Sequence, residues 1–322
     1  MNQTLIIETL PVLSRLSRTA PLGLRFWDEA TGRVVGDGLV VTAYPPDSPL
    51  RRIEAQVNRS GVYVLSGLPG LSEVEFGSGD DAFWSAPPAK ATFKIEVVDS
   101  WQRFVPFLLT VEAPVKGVVT SPEAEGGSPP ATSSGISLYS TASRSVPAAM
   151  AVLRADLREW RAGGNHEGEP ARWAVLEARL AGRLIARGVA DEKGSVAMLF
   201  AYPPPVTHPL GSPPAISPPG AEGPALRDQQ WPIELSASFD GLNPVPPFPN
   251  WPYAPYPRWP ALPDLADVLS QSAATLWADC ERQEVLTEAM LSFGRELVVG
   301  SIDRTTNRAR SVLFISAAGS PP

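Results

Sequence analysis

Cysteine and histidine are nearly absent from this sequence. Cys280 is the one cysteine, and the two histidines, His166 and His208, have no Cys, Asp or second His at metal-ligand spacing. A lone cysteine excludes an internal disulfide framework and is typical of a reducing compartment. The isolated histidines do not match the ligand spacing of a zinc site. We therefore expect no metal ion and no cofactor.

Long apolar runs and clustered positive charge are also missing. No stretch of about eighteen apolar residues occurs, and the apolar N-terminus is interrupted at Glu8 and Pro11, so we expect neither a signal peptide nor membrane insertion. The formal net charge is −7, and the scattered Lys and Arg argue against nucleic acid as a partner, because binding its backbone requires clustered cations. These absences predict a cytoplasmic chain that leaves the cell, if at all, as part of an assembled particle.

The motifs of common catalytic sites are absent as well. The sequence has no Gly-x-Ser-x-Gly, no phosphate-binding Gly-rich loop followed by Lys-Ser/Thr, and no dinucleotide fingerprint. Asp80 and Asp81, with Asp28, could bind Ca²⁺ at a loop-rich sandwich end, although a solvated acidic turn is the simpler interpretation. We expect no enzymatic activity.

β-strand patterns are abundant. Leu22, Leu24 and Phe26 alternate with small or polar residues, and after a turn the run 34–44 is rich in β-forming residues. Further along the chain Phe93, Ile95 and Val97 alternate with Lys94 and Glu96. Such alternation predicts a strand with one buried and one wet face. Short strands at intervals of about ten residues, separated by turn residues, predict an all-β protein built from sandwiches.

Composition divides the chain into four parts. They are an extended N-terminal arm at 1–20, a first β-sandwich at 21–114, a linker at 115–135, and a second β domain at 136–322 with a proline- and aromatic-rich insertion at 203–263. The linker is rich in Ser, Pro and Gly and has little to bury. The sequence thus predicts two β-sandwich-like domains joined by proline-rich extended segments.

The insertion holds 19 of the 36 prolines. Because proline cannot donate a hydrogen bond to a sheet, the insertion must be largely extended. Within it, the alternating run Ile233–Phe239 predicts a strand. At its end, Pro263–Leu269 predicts a short helix with proline in its first turn. We expect one or two short helices at most.

Two segments carry apolar or aromatic residues that no predicted core accommodates. The arm is too short and too interrupted to make a core of its own, and the insertion combines proline with Trp and Tyr, which give large contact area at low entropic cost. The interface candidates are Leu5, Ile6, Ile7, Leu10, Phe248, Trp251, Tyr253, Tyr256 and Trp259. The arm can lie on a neighbouring subunit or on the surface of its own domain. Two alternatives to an interface remain for the aromatic residues: they cap an edge of the second sandwich, or they form a carbohydrate platform.

The segments GRVVGDGLVVTAYP and NRSGVYVLSGLPG, followed by a predicted strand pair within 93–111, resemble the carboxypeptidase regulatory-like domain, also called prealbumin-like or transthyretin-like. Such modules have a Gly-x-x-Val start and a Gly-x-Tyr-x-Leu/Phe-x-x-Leu-Pro strand. The matching residues here are Gly32, Val35, Gly61, Tyr63, Leu65, Leu68 and Pro69. The resemblance implies a non-catalytic β-sandwich.

Together with SVPAAMAVLRADL and GVADEKGSVAMLFAYP, this region also resembles carboxypeptidase-regulatory-like proteins encoded with bacterial phage-tail-like contractile injection systems. That resemblance implies a cap, baseplate or adaptor component. We therefore expect a non-enzymatic structural subunit of a large assembly, whose partners are other protein subunits and copies of itself. The alternative is a carbohydrate- or receptor-binding β-sandwich module.

Overall fold

A computed structural model describes residues 19–86, 88–119, 135–147, 149–160, 168–204, 228–244, 261–279, 283–303 and 308–317. Within these ranges the chain is all-β, as the sequence predicts. The described helices are α1 (Ser72–Glu75), α2 (Asp81–Ser85) and α3 (Leu265–Leu269). That is one more than the two expected at most, and each is only about one turn long.

The first ten strands form two sheets. They are β1 (Leu22–Asp28), β2 (Arg33–Val35), β3 (Leu39–Tyr44), β4 (Ile53–Glu54), β5 (Gln56–Val57), β6 (Val62–Leu65), β7 (Ala91–Asp99), β8 (Phe107–Ala113), β9 (Val118–Val119) and β10 (Ile136–Leu138). In one sheet β1 is central, antiparallel to β6 and β2 and parallel to β9 and β10. The other sheet has the order β4-β3-β7-β8 and is antiparallel throughout.

The core between these two sheets follows from the alternation in their strands. Every second residue of β7 is buried, whereas Lys94 and Glu96 are half-buried. The buried side chains of β7, including Phe93 and Ile95, belong to the same core as Phe26 of β1. The two-faced strand predicted around Lys94 and Glu96 is confirmed, and its polar face points away from this core.

The remaining strands belong mainly to one large sheet. They are β11 (Met150–Glu159), β12 (Glu169–Pro170), β13 (Val175–Leu180), β14 (Arg183–Val189), β15 (Ser195–Ala201), β16 (Gln230–Ser238), β17 (Ala273–Asp279), β18 (Glu284–Val285), β19 (Glu288–Ser292), β20 (Leu297–Val298), β21 (Ile302–Asp303), β22 (Arg308–Ala309) and β23 (Val312–Ala317). The main path is β12-β11-β23-β17-β16-β13-β14, with β15, β18, β19 and β20 attached at its sides. The predicted strand at 233–239 is confirmed as part of β16.

The large sheet curls on itself. A Cβ atom on Gly188 of β14 would lie 2.7 Å from Cγ of Met198 and 3.2 Å from the carbonyl oxygen of Ala197, both in β15. Glycine therefore permits β14, at one end of the sheet, to approach β15 at the other end. The apolar side chains enclosed by this curl, among them Leu157 and Ile233, form the second hydrophobic core.

The two core regions meet at Trp173. This residue and Val189 belong to the core of the first two sheets, together with Leu265 of α3. In addition, β10 pairs with β1 although it follows the predicted linker. The predicted division of the chain near residue 135 stays a prediction, but the first strand after it lies in the first sheet.

Helix α3 begins two residues later than the sequence predicts. Asp264, which the prediction placed inside the helix, is instead its N-cap. The Asp264 side chain accepts a hydrogen bond from the backbone N–H of Ala266 at 3.1 Å. The carbonyl oxygen of Pro263 accepts a hydrogen bond from the N–H of Leu108 in β8 at 2.8 Å. This contact keeps Pro263 extended along the edge of the sheet, so the helix starts only after it.

Candidate functional site

The predicted interface residues lie outside the described residues. These are the arm residues Leu5, Ile6, Ile7 and Leu10 and the insertion residues Phe248, Trp251, Tyr253, Tyr256 and Trp259. His166, His208 and Cys280 also lie outside. The described chain stops at Pro244 and resumes at Ala261, so the residues that flank the aromatic segment can be located even though the segment itself is not described.

Those flanking residues line a cleft on the polar face of the β3-β7-β8 sheet. The cleft has a volume of about 350 Å³. Its walls are Tyr44, Pro46 and Pro49 at and after the end of β3, Lys94 and Leu108 on β7 and β8, Leu242, Asn243 and Pro244 on one side, and Leu262, Pro263, Asp264 and Asp267 on the other. We call it the sheet-face cleft.

Strand register sets the floor of the sheet-face cleft. Tyr44 of β3 is paired with Lys94 of β7, which is in turn paired with Thr110 of β8. Paired residues on neighbouring strands point to the same side of a sheet. The three side chains therefore lie in a row across the sheet, on the face opposite the core.

Asp264 joins this row from outside the sheet. Lys94 Nζ lies 3.3 Å from Asp264 Oδ2 and donates to Thr110 Oγ1 at 2.5 Å, and the Thr110 hydroxyl also donates to Asp264 Oδ2. Because Asp264 is also the N-cap of α3, its carboxylate holds the start of that helix to the edge of β8. The charges of Lys94 and Asp264 are largely satisfied by each other.

Replacing Asp264 by alanine is expected to lower the free energy of unfolding by about 1–2 kcal/mol, because it removes both the cap and a partly exposed ion pair. Asp264→Asn is the matched variant: asparagine caps a helix as well as aspartate does but has no charge. We expect it to lose clearly less in urea unfolding at neutral pH. Equal losses for the two variants would contradict a capping role.

Arg52 lies beside Tyr44, one of the residues that line the cleft. It forms a salt bridge with Glu96, and its guanidinium lies 4.9 Å from the ring centroid of Tyr44. Burial, together with the Glu96 carboxylate, raises the pKa of Tyr44 above its ordinary value, so this phenol stays neutral at physiological pH. Arg52 and Glu96, the charged groups next to Tyr44, are thus already paired with each other.

A second arrangement lies at the loop end of the first two sheets and was not predicted from the sequence. The guanidinium of Arg103 lies 4.4 Å from the ring centroid of Trp101 and 5.0 Å from that of Phe104, and the guanidinium of Arg144 lies 4.8 Å from Phe104. We call these four residues the aromatic–guanidinium stack. Trp101, at one end, is 59% exposed. The signal in the sequence was a tryptophan within the turn DSWQR, where neither face of a sheet can cover it.

Each guanidinium in the stack is held by a buried carboxylate. Arg103 Nε donates to Asp99 Oδ2 at 2.9 Å, and Arg144 Nη2 donates to Asp28 Oδ2 at 2.6 Å. Burial alone would raise the pKa of Asp28, but the hydrogen bonds from Arg144 and Thr31 and the charge of Arg144 outweigh it and hold this pKa below its ordinary value. The Asp28 carboxylate therefore stays ionised and fixes the Arg144 guanidinium in place.

The three aspartates considered for calcium have separate roles. Asp28 pairs with Arg144, Asp80 is the N-cap of α2, and Asp81 forms a salt bridge with Lys116. Across the described residues, no group of three or more His, Cys, Asp or Glu side chains is arranged to hold a metal ion. Among the same residues, no helix has the length and apolar character needed to cross a membrane.

Comparison with known proteins yields little. No family model matches the chain, and no curated protein matches it. Among solved structures, the Bacillus anthracis TIE protein aligns at 8% identity with a TM-score of 0.22, over 68% of this chain and 28% of its own. Two Bacteroides ovatus proteins, each described as a "putative adhesin", align at 8% and 11% identity with TM-scores of 0.19 and 0.16, over 68% and 71% of this chain and 72% and 83% of theirs. Similarities at this level establish neither a fold family nor a function.

Proposed function

We propose that the chain is a non-enzymatic subunit of a larger protein assembly, and that it contacts its partners through the sheet-face cleft and the aromatic segment rooted there. The observation that carries this proposal is the position of the flanking residues. Pro244 and Leu262, on the two sides of the segment that contains Trp251 and Trp259, line the same cleft. The described chain therefore leaves and rejoins the cleft on either side of the aromatic segment.

The chemistry of the cleft suits a protein partner. Prolines such as Pro46 and Pro263 form rigid apolar walls, and the paired charges of Lys94 and Asp264 lie between them. Protein interfaces typically combine an apolar, aromatic centre with a polar rim whose hydrogen bonds are satisfied. Paired charges also add little desolvation cost when a partner covers them, compared with unpaired ones.

The more specific role, a cap, baseplate or adaptor component of a phage-tail-like contractile injection particle, is supported by the sequence resemblance. The residues of that resemblance that the structure describes have structural roles: Gly61 adopts φ +72° at the start of β6, and Tyr63 and Leu65 lie in the first core. These roles fit a non-catalytic sandwich module. We propose the cytoplasm as the place where the chain joins its assembly.

The proposal predicts self-association of the full chain. Size-exclusion chromatography with light scattering should show an oligomer for the native chain and smaller species after removal of residues 1–20 or after the double substitution Trp251→Ala, Trp259→Ala. Both changes remove apolar surface that the interface would bury, whereas the melting temperature should stay the same because the described cores are untouched.

The matched control is replacement of 120–134 by a Gly/Ser linker of equal length, which removes no aromatic residue and should leave the oligomer intact. A native chain that is monomeric at every concentration tested would contradict the proposed homo-oligomer. If the tryptophan substitutions instead lower the melting temperature, these rings cap the chain's own fold and the interface assignment fails.

A further inference from the structure

We infer that Trp101 is a carbohydrate-binding platform, on which the ring of a neutral pyranose sugar stacks. The surface is distinct from the sheet-face cleft. Lys94 and Asp99 lie at different positions on β7, about 16 Å apart at the usual rise of a strand, and Trp101 lies beyond Asp99 in the turn that follows. The inference does not depend on the proposed assembly role.

The indole of Trp101 is supported on one face and accessible elsewhere. The guanidinium of Arg103 lies over one face of the ring at 4.4 Å from its centroid, yet 59% of the residue remains exposed. Arg103 is itself immobile, because its N–H, Nε and Nη2 groups all donate to the carboxylate of Asp99 and Nη2 also donates to the carbonyl oxygen of Asp37. The exposed ring therefore rests on a rigid support.

The local backbone is specialised for this position. Gly38 has φ +76°, and a Cβ atom there would lie 2.7 Å from Arg103 Nη2 and 3.0 Å from two ring carbons of Trp101. Gln102, directly after the tryptophan, has φ +56°, a conformation that costs energy for a residue other than glycine. A turn that accepts this strain to hold a large apolar ring in solvent is better explained by binding than by packing.

The surroundings of the ring favour a neutral polyol. Sugar rings have an apolar face of C–H groups that stacks on an aromatic ring, and hydroxyl groups around their edge that need donors and acceptors. The carboxylate of Asp37, 68% exposed and 3.6 Å from Arg103 Nη1, is such an acceptor beside the ring. A cation, the Arg103 guanidinium, already occupies one face of the ring, so a ligand stacks on the other face.

The test is calorimetric titration of the full chain with soluble oligosaccharides of glucose, galactose, N-acetylglucosamine and uronic acids. We expect at least one neutral oligosaccharide to bind. Trp101→Ala should weaken its binding about tenfold or more, the loss of a stacked ring contact, and Trp101→Tyr should retain most of it. Because Trp101 is mostly exposed, the melting temperature of both variants should match that of the native chain.

Phe76→Ala is the matched control, since Phe76, the C-cap of α1, is 64% exposed but lacks a supporting guanidinium among the ring contacts described. Its loss should leave binding unchanged. Failure of every oligosaccharide to bind the native chain overturns the inference. So does binding that survives Trp101→Ala. If tetramethylammonium binds in a Trp101-dependent manner and no sugar does, the site is a cation site and the assignment to carbohydrate is wrong.

Discussion

Replacing Arg144 by methionine is expected to lower the free energy of unfolding by about 3 kcal/mol at neutral pH, as when one partner of a buried ion pair is removed. The guanidinium donates to both carboxylate oxygens of Asp28, at 2.9 and 2.6 Å, and the two side chains are only 10% and 6% exposed. Methionine keeps an unbranched stem beside Phe104. The loss therefore comes from a carboxylate left buried without its cation, and urea unfolding followed by circular dichroism measures it.

An exposed ion pair provides the control. Lys116 Nζ and Asp81 Oδ1 are 2.8 Å apart, close to the distance between Arg144 and Asp28, but their side chains are 59% and 97% exposed. Solvent screens such a pair, and it contributes little to stability. Lys116→Met should leave the unfolding midpoint unchanged, and a loss for Arg144→Met no larger than this control would contradict the role assigned to the buried pair.

The buried Arg144–Asp28 ion pair also predicts how stability depends on pH. Arg144 holds the pKa of Asp28 below the ordinary value of 3.8, despite its burial. A carboxyl whose pKa is lower in the folded than in the unfolded chain stabilises the fold fully at any pH above its pKa in the unfolded chain. This stabilisation is lost as the pH falls through its pKa in the folded chain. The difference in stability between the native chain and Arg144→Met should therefore shrink below about pH 4. A difference that stays constant as the pH falls further below that value would contradict the assignment.

Local patterns in the sequence predicted much of the fold. The alternation around Lys94 and Glu96 identified β7 and its wet face, and the alternating run in the proline-rich insertion identified β16. These predictions succeed because a strand at a sheet surface records its two environments in every second residue. Lys94, on the polar face of β7, lies in the floor of the sheet-face cleft.

Pairing between distant strands could not be predicted in this way. The apolar runs within 296–302 and 309–317, separated by a polar turn, predict a terminal hairpin. In the structure β20 and β23 both pair with β11, and of the strands described in this region β21 and β22 pair with each other. Likewise, β10 pairs with β1 across the linker. Register and partner choice depend on which apolar faces meet in three dimensions, and single-strand patterns do not contain that information.

The candidate sites show the same limit. The aromatic–guanidinium stack depends on Asp28 and Arg144, which are 116 positions apart, so no spacing motif could reveal it. Sequence composition instead drew attention to Trp251 and Trp259, which lie outside the described residues. Sequence composition did, however, locate the aromatic segment whose flanking residues, Pro244 and Leu262, line the sheet-face cleft.

Replacing Trp173 by alanine is expected to lower the free energy of unfolding by about 3–5 kcal/mol, the cost of removing a large buried aromatic side chain. Trp173 is 3% exposed and belongs to the same core as Leu265 of α3, and its carbonyl oxygen accepts a hydrogen bond from Gln271 Nε2 at 2.8 Å. The indole thus joins the first core to the large sheet. Its loss should weaken this junction more than either core, so differential scanning calorimetry should resolve two transitions where the native chain shows one.

Two controls separate this effect from the loss of any tryptophan. Trp173→Phe keeps a ring in the junction and should cost clearly less without splitting the transition, while Trp101→Ala removes an exposed indole and should leave the melting curve unchanged. A single transition in the Trp173→Ala chain would contradict the expectation. It would show that the first two sheets and the large sheet unfold as one cooperative unit, and that the predicted boundary between residues 114 and 136 does not separate two folding domains.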